Sequence, residues 1–280
     1  MLHDMISYKD LARILIPRSI RNFARNPQKF FYHTFLSWSA LFGNKEVPVL
    51  PDWTLRCHPV SWPGLMNCAL VPELKKELEG FIRYARPGMV LVDIGSHFGF
   101  FTLAALHYGG PSAKVIAVDP SPEAKKFFLA NIAINKVQDR VRFFEAAVGA
   151  SSGKILMLST GAFGEYMYVG SEKRFDAERI DCLTLPDLVG KTSWKPTHLK
   201  IDVEGYEDEV ISGGFDFLKE HRPILFLELH NRILRNAGKK PEQLLSILQS
   251  IGYRFELDGE AALTSQIAEK VICRLVCLPS

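Results

Sequence analysis

Between residues 89 and 229 short apolar runs alternate with longer helix-like stretches, and this alternation limits the fold more than any other property of the chain. Met89–Ile94, Lys114–Val118, Val141–Glu145, Thr197–Asp202 and Pro223–Leu229 read as buried strands. Phe98–Tyr108 suits a helix, as does the stretch from about Pro122 to Asn135. There Ser121 stands as cap, Pro122 at the first position and Glu123 in the first turn. Strands separated by helices of roughly 10–15 residues pair in parallel through right-handed crossovers. The expected fold is therefore α/β, a doubly wound, mostly parallel, Rossmann-like sheet.

The flanks are read less tightly. Residues 47–71, rich in Pro, Trp and Gly, read as short strands and turns. A helix is expected over Pro72–Tyr84, with Leu74, Leu78, Phe81 and Ile82 on one side and Arg86-Pro87-Gly88 ending it. Lys154–Ser159 reads as an extra strand and residues 160–178 as a Gly-rich, aromatic loop over a site. A helix is expected from about Glu204 and an amphipathic one over Pro241–Ile251, with Tyr253–Leu257 and Val271–Leu278 as closing strands. Residues 1–46 form an expected N-terminal extension, helical over 5–42 with interruptions near Pro17 and Pro27, and 47–280 an expected single domain.

The net charge of +3 is too small to argue for nucleic acid; residues 1–47 hold +4 of it and the remainder −1. Arg13, Arg18, Arg21 and Arg25 interleaved with Phe23, Phe30 and Phe31 point to weak peripheral contact with an anionic membrane or a lipid-linked substrate. The alternative is an extension that packs on the catalytic domain or lids its site. Five cysteines, an odd number without CxxC spacing, fit reduced thiols and a cytoplasmic protein. No apolar run reaches membrane-spanning length, and no signal peptide is legible.

The chemistry gathers at the strand ends. Asp93-Ile94-Gly95-Ser96-His97-Phe98-Gly99 follows the first strand with D-x-G-x-x-x-G spacing. That differs from the G-x-G-x-x-G of dinucleotide sites, where a pyrophosphate needs two glycines at the turn. An acid at the strand end suits a cationic nucleoside ligand. Asp119 ends the second strand, where a carboxylate can accept both ribose hydroxyls; its alternative is a capping acid before Pro120. Glu145 and Ala146 end the third strand, at the edge that abuts an adenine in such folds, or Glu145 is simply solvated. Lys200, Asp202 and Glu204 alternate with Leu199, Ile201 and Val203, which on a strand puts three charges on one face. Such charges must be paired, solvated or in a cleft. Glu228 and His230 end the fifth strand, and a histidine there is a candidate base near neutral pH.

Together these motifs resemble the FkbM-family methyltransferases, from about Cys68 to His230. The most specific stretch is Lys200-Ile201-Asp202-Val203-Glu204-Gly205, led in by Asp181-Cys182-Leu183-Thr184-Leu185. Two departures are Ser96-His97, where the family often has Ala-Asn, and Asp119, where Glu is common. The resemblance implies a class I methyltransferase-like fold and S-adenosyl-L-methionine as cofactor, held by Asp93, Gly95, His97, Gly99, Asp119, Glu145 and Ala146. It also implies O-methylation of a hydroxyl on a sugar, glycolipid or natural-product-like small molecule.

Methyl transfer is an in-line displacement, so the protein must chiefly align its reactants. An alcohol acceptor further needs a destination for its proton. Asp202, Glu204 and His230 are the candidate proton acceptors, and Lys200 would orient them or bind the acceptor. Nothing in the spacing demands a metal, although Asp202 with other carboxylates has the chemistry for a divalent ion. The competing readings are a non-catalytic nucleoside- or partner-binding module of the same fold and a nicotinamide-dependent oxidoreductase, the latter disfavoured by the glycine spacing. The oligomeric state is left open.

Overall fold

The computed structural model describes residues 43–159, 166–168 and 177–280. Residues 44–280 form one compact unit. The helices expected over 5–42 and most of the loop expected over 160–178 lie outside the described residues.

The unit opens with a hairpin of β1 (Lys45–Leu50) and β2 (Trp53–Cys57), whose alternate residues Val47, Val49, Trp53, Leu55 and Cys57 are buried. Helix α1 (Trp62–Leu70) then forms where turns were expected. Pro63 falls in its first turn, where no backbone N–H is required, so the proline starts a helix instead of breaking one. Helix α2 (Pro72–Tyr84) matches its expected bounds.

The strand–helix alternation follows as β3 (Val90–Ile94), α3 (Phe100–Tyr108), β4 (Lys114–Val118), α4 (Pro122–Ile134) and β5 (Val141–Phe144). The Ser121 hydroxyl caps α4 by accepting the Ala124 N–H at 3.0 Å. Next come β6 (Ala147–Val148), β7 (Gly153–Ser159), β8 (Tyr166–Tyr168), β9 (Glu178–Leu183) and α5 (Leu185–Gly190). The chain returns to the core with β10 (His198–Ile201), α6 (Glu207–Gly213), α7 (Phe215–His221) and β11 (Ile224–Leu229). It continues through α8 (Asn231–Asn236), α9 (Pro241–Ser250), β12 (Tyr253–Leu257), β13 (Glu260–Ala261), α10 (Thr264–Glu269) and β14 (Cys273–Pro279).

The main sheet has the order β5-β4-β3-β10-β11-β14-β12-β13. Strands β3, β4, β5, β10 and β11 are mutually parallel, and β14 lies antiparallel between β11 and β12. This is the expected doubly wound sheet of class I methyltransferase type. The strand order reverses between β3 and β10, and ligands of such sheets bind at the carboxyl ends on either side of that switch point. A smaller sheet, β6-β9-β7-β8, stands beside it.

Strand alternation sorts the two faces. Val92, Ile94, Leu199, Ile201, Leu225, Leu227 and Leu229 join one apolar core that takes in side chains of α5, α6, α7 and α9. Burying each such side chain contributes about 1.5–3 kcal/mol. The opposite face turns toward α2 and α3. There Asp93 meets Thr102, and Lys200 meets Glu77 and Phe101.

Asn131, wholly buried on α4, ties this domain to its N-terminal hairpin. Its Oδ1 accepts the His58 N–H at 2.8 Å and the Ser61 hydroxyl at 3.1 Å, while its Nδ2 donates to the Phe98 carbonyl at 2.9 Å. Replacing Asn131 by Ala should cost about 3 kcal/mol of stability, because three partners, two of them in buried contacts, lose their bonds. Urea unfolding of the two proteins would measure it.

Candidate active site

A cavity opens at the carboxyl ends of β3, β4 and β10. Its wall includes Gly95, His97, Asp119, Ala146, Asp202 and Glu204, with Val118, Ala147, Val148 and Met157 supplying apolar surface. Met157 comes from the smaller sheet, a contribution that strand order alone does not announce.

The turn after β3 is held on both sides. Gly95 N–H donates to the Val118 carbonyl at 2.9 Å, and the Asp202 N–H donates to the Ile94 carbonyl at 3.0 Å. Gly95 has φ +81°, and a Cβ there would stand 1.8 Å from the Asp202 carbonyl oxygen. Only glycine permits this approach. The His97 and Ser121 N–H groups then donate to Oδ2 and Oδ1 of Asp119, each at 2.9 Å. Asp119 is 7% exposed. Burial pushes its carboxyl up to about 6 against the pull of those two hydrogen bonds. Each oxygen keeps a lone pair for a further donor, as a ribose diol requires.

The other expected cofactor residues are placed differently. Asp93 is not on the cavity wall: it is buried against α3, accepting the Thr102 hydroxyl at 2.6 Å, and burial raises its carboxyl to about 6. Gly99 stands behind the turn as the N-cap of α3. Glu145 is exposed and pairs with Lys125 at 2.9 Å, while its neighbour Ala146 lines the cavity.

Strand β10 ends at Ile201, one residue short of the expected end, so the alternation that would align Lys200, Asp202 and Glu204 stops there. Lys200 is buried, 2.9 Å from Glu77 and 3.5 Å from Asp202, with its ammonium 4.9 Å from the Phe101 ring centroid. Burial opposes its charge, but Asp202, Glu77 and Glu228 more than offset that and hold the proton above the ordinary lysine range. Asp202 is held below its usual range: burial works against the carboxylate, and Lys200 and His230 outweigh it. Glu204 (φ +51°) and Gly205 (φ +95°) turn left-handed, so the next helix starts at Glu207, not at Glu204 as expected. A side chain on residue 205 would meet Ile233, since a Cβ there lies 2.3 Å from its Cγ2.

His230 follows β11 and is 3% exposed. Its Nδ1 lies 2.6 Å from Oε1 of Glu207, and its Nε2 lies 3.4 Å from Glu204 and 3.8 Å from Glu228. Burial alone would lower its pKa, but Glu207, then Glu204 and Asp202, raise it to about 9. Glu228 is pushed up to about 8, first by burial and then by Asp202 and Glu77, although Arg274 bonds it at 2.6 Å. Asp202, Glu228 and His230 bring ligand atoms within 4.8 Å of one another. Lys200 and Arg274 already stand on the two carboxylates.

Glu77, Glu207 and Arg274 are parts of the site that sequence reasoning missed. Glu77 had left a trace: with Leu74, Leu78 and Phe81 it occupies an i, i+3, i+4, i+7 stripe where an apolar residue belongs. Arg274 comes from β14, and no local pattern announces its pairing with β11.

The histidine makes stability pH-dependent in a defined direction. Its folded pKa lies above the value of about 6.5 expected unfolded, so its ion pairs stabilise fully below that pH. The contribution is lost as pH rises through about 9. Wild-type protein should therefore exceed His230→Gln in stability at pH 6, with the gap closing toward pH 10 in paired denaturant titrations.

A family model described as the methyltransferase FkbM domain matches residues 93–255, more than half of the chain. Among curated proteins, a ribosomal protein L11 methyltransferase of Carboxydothermus hydrogenoformans is 35% identical over 68 residues, 24% of this chain and 22% of that protein. A tRNA(Phe) (4-demethylwyosine(37)-C(7)) aminocarboxypropyltransferase of Pyrococcus horikoshii is 37% identical over 70 residues, 25% of this chain and 24% of that protein. The chain thus spans less than a quarter of the length of these curated relatives. Among solved structures, an FkbM methyltransferase of Methylobacillus flagellatus aligns at TM-score 0.45 and 16% identity, covering 92% of this chain and 60% of that one.

Proposed function

The chain belongs to the FkbM methyltransferase family, its cofactor is S-adenosylmethionine, and we propose that it O-methylates a hydroxyl on a sugar, glycolipid or natural-product-like small molecule. The observation that carries this reading is the cavity wall. It combines Asp119 and the glycine turn, Asp202 and Glu204, and the apolar side chains of Val118, Ala147, Val148 and Met157. A ribose, an adenine and a cation find matching chemistry in that set. When bound, the cofactor supplies a methyl group on a sulfonium, already activated for displacement.

The chain's own residues supply the rest. Asp119 holds the ribose hydroxyls, and Gly95, His97 and Ala146 shape the wall around the nucleoside. Asp93 and Gly99 act behind that wall, keeping the turn and α3 in place. Asp202 and Glu204 face the methyl acceptor, and His230, buried behind Glu204 and not itself on the cavity wall, takes the acceptor's proton on Nε2 by way of Glu204 once it is neutral, at pH near or above about 9. Lys200 fixes Asp202 from below, where it has no access to a substrate. Lys200 and Arg274 provide the positive charge that a metal would otherwise bring, so the reaction is proposed to proceed without one. Since β1 already starts at Lys45, the expected boundary after residue 46 moves to before Asn44; the segment preceding it is proposed as an extension with weak anionic-membrane contact, and the protein is proposed to be cytoplasmic. Among the described residues no helix is long and apolar enough to cross a membrane.

The direct test is transfer of a labelled methyl group to a panel of hydroxylated sugars, glycolipids and polyketide-like alcohols, with the product's methyl ether identified by NMR. Label appearing only on nitrogen, RNA or protein would overturn the O-methylation reading. Exhaustive dialysis against EDTA should leave turnover unchanged. Replacing Asp119 by Ala should weaken cofactor binding about 10- to 100-fold in calorimetric titration, the equivalent of one charge-assisted hydrogen-bond anchor. Asp202→Asn should instead cut turnover far more than cofactor affinity.

A further inference from the structure

The reading of His230 as proton acceptor leaves open what makes one of its nitrogens available. Two ring nitrogens are chemically distinct, and a partner on one decides the state of the other. Glu207 is wholly buried, and its Oε1 accepts the Gly205 N–H at 3.0 Å and lies 2.6 Å from His230 Nδ1. That oxygen already accepts the Gly205 N–H, and an acceptor there assigns the hydrogen of the shorter contact to Nδ1. The proton that comes and goes is then the one on Nε2.

The same oxygen pins the backbone of the turn that carries Glu204. One atom of Glu207 therefore fixes both the ring and the cavity-wall carboxylate 3.4 Å from its Nε2. The other oxygen, Oε2, meets no hydrogen-bond donor among the described residues. A side chain serving only as a spacer would carry its polar atoms satisfied or carry none, since an unmet buried carboxylate oxygen is costly.

We infer that Glu207 is a positioning residue, which locks His230 with Nδ1–H bound and Nε2 turned toward Glu204 and the acceptor's proton. The inference rests on the proposed role of His230. It assigns to Glu207 the part that a buried carboxylate plays behind a general-base histidine, holding tautomer and orientation without touching substrate.

Other charges also face the ring. Glu204 and Glu228 lie at Nε2 from the turn after β10 and from β11, and Asp202 adds a further negative charge. Arg274 on β14 and Lys200 on β10 neutralise Glu228 and Asp202 in part. The test must therefore separate Glu207 from this shared field. The tautomer does so, because only Glu207 touches Nδ1 among these groups.

The full chain, ¹⁵N-labelled at histidine and without added cofactor, would be titrated by NMR alongside Glu207→Gln, Glu207→Asp and His230→Asn. The parent ring should keep Nδ1 protonated throughout and lose its Nε2 proton in the alkaline range. Glu207→Gln should lower that midpoint and populate the opposite tautomer, while Glu207→Asp should retain most of the parent's behaviour. On a hydroxyl substrate from the labelled-methyl panel, Glu207→Gln should lose on the order of 100-fold in kcat, with KM for the cofactor changed by less than about threefold. Its ascending pH limb should move to lower pH, because neutral imidazole forms sooner.

A purely structural glutamate would leave midpoint and tautomer where they are, and that result in a folded Glu207→Gln protein overturns the inference. If that variant does not fold, the Glu207→Asp protein decides: a His230 ring that titrates and tautomerises there as if free of any carboxylate partner overturns the inference equally. Undiminished turnover in His230→Asn removes the proton-acceptor reading and this inference with it. An impaired His230→Asn beside an unshifted Glu207→Gln defeats the Glu207 assignment alone.

Discussion

The backbone contact between the turn after β3 and the carbonyl of Asp202 is the constraint on which the rest of the site depends. Two neighbouring parallel strands end side by side there, and both turns must leave the sheet through the same narrow space. Gly95 makes room by having no side chain, with the would-be Cβ 1.8 Å from that carbonyl oxygen. Once the two turns touch, Asp202 is committed to the same cavity as Asp119, and the 93–99 turn delivers the His97 N–H to the Asp119 carboxylate. Asp119 and Asp202 are thus brought to one cavity by one steric event, not by separate ones.

Beneath that contact lies a concentration of charge that an apolar sheet would not tolerate unpaired. Lys200 stands between Glu77 and Asp202, and Arg274 bridges Glu77 and Glu228. Replacing such a network with hydrophobic residues is often neutral or stabilising, so the ion pairs are poorly explained as a device for stability. They make sense as a way of keeping Asp202 ionised and oriented at the edge of the cavity. The left-handed turn at Glu204 and Gly205 then separates two roles that strand alternation would have merged. Lys200 stays inside the sheet, and Glu204 reaches the wall.

Much of this is legible in the sequence because its causes are local. The mostly apolar runs at 90–94, 114–118 and 224–229 and the Ser121-Pro122 helix start specify their elements within a few residues. The acids at 119 and 202 announce strand ends, and strand ends converge by topology. What escapes has non-local causes. Helix α1 hides behind Pro63, which reads as a breaker unless it is known to lie in a first turn. Glu145 reads as a nucleoside contact, yet Lys125, twenty residues earlier on α4, holds it at the surface. Asp93, first in the motif, serves the α3 side of the sheet through Thr102. Glu207 and Arg274 acquire meaning only when distant strands and helices are brought together.

The place of β14 has a consequence for how the sheet is assembled. It is later in the chain than β12 yet sits inside it, paired on one side with β11 and on the other with β12. During synthesis the outer edge of β11 therefore emerges with its hydrogen-bonding groups bare. It stays so through α8, α9, β12 and α10, until residues 273–279 arrive to occupy the gap. An apolar edge left open is an invitation to pair with another chain. The arrival of Arg274 on that same strand gives Glu228 its cation at the moment the gap closes. Sealing of the sheet and electrical completion of the pocket are one step, so an incomplete nascent chain presents neither.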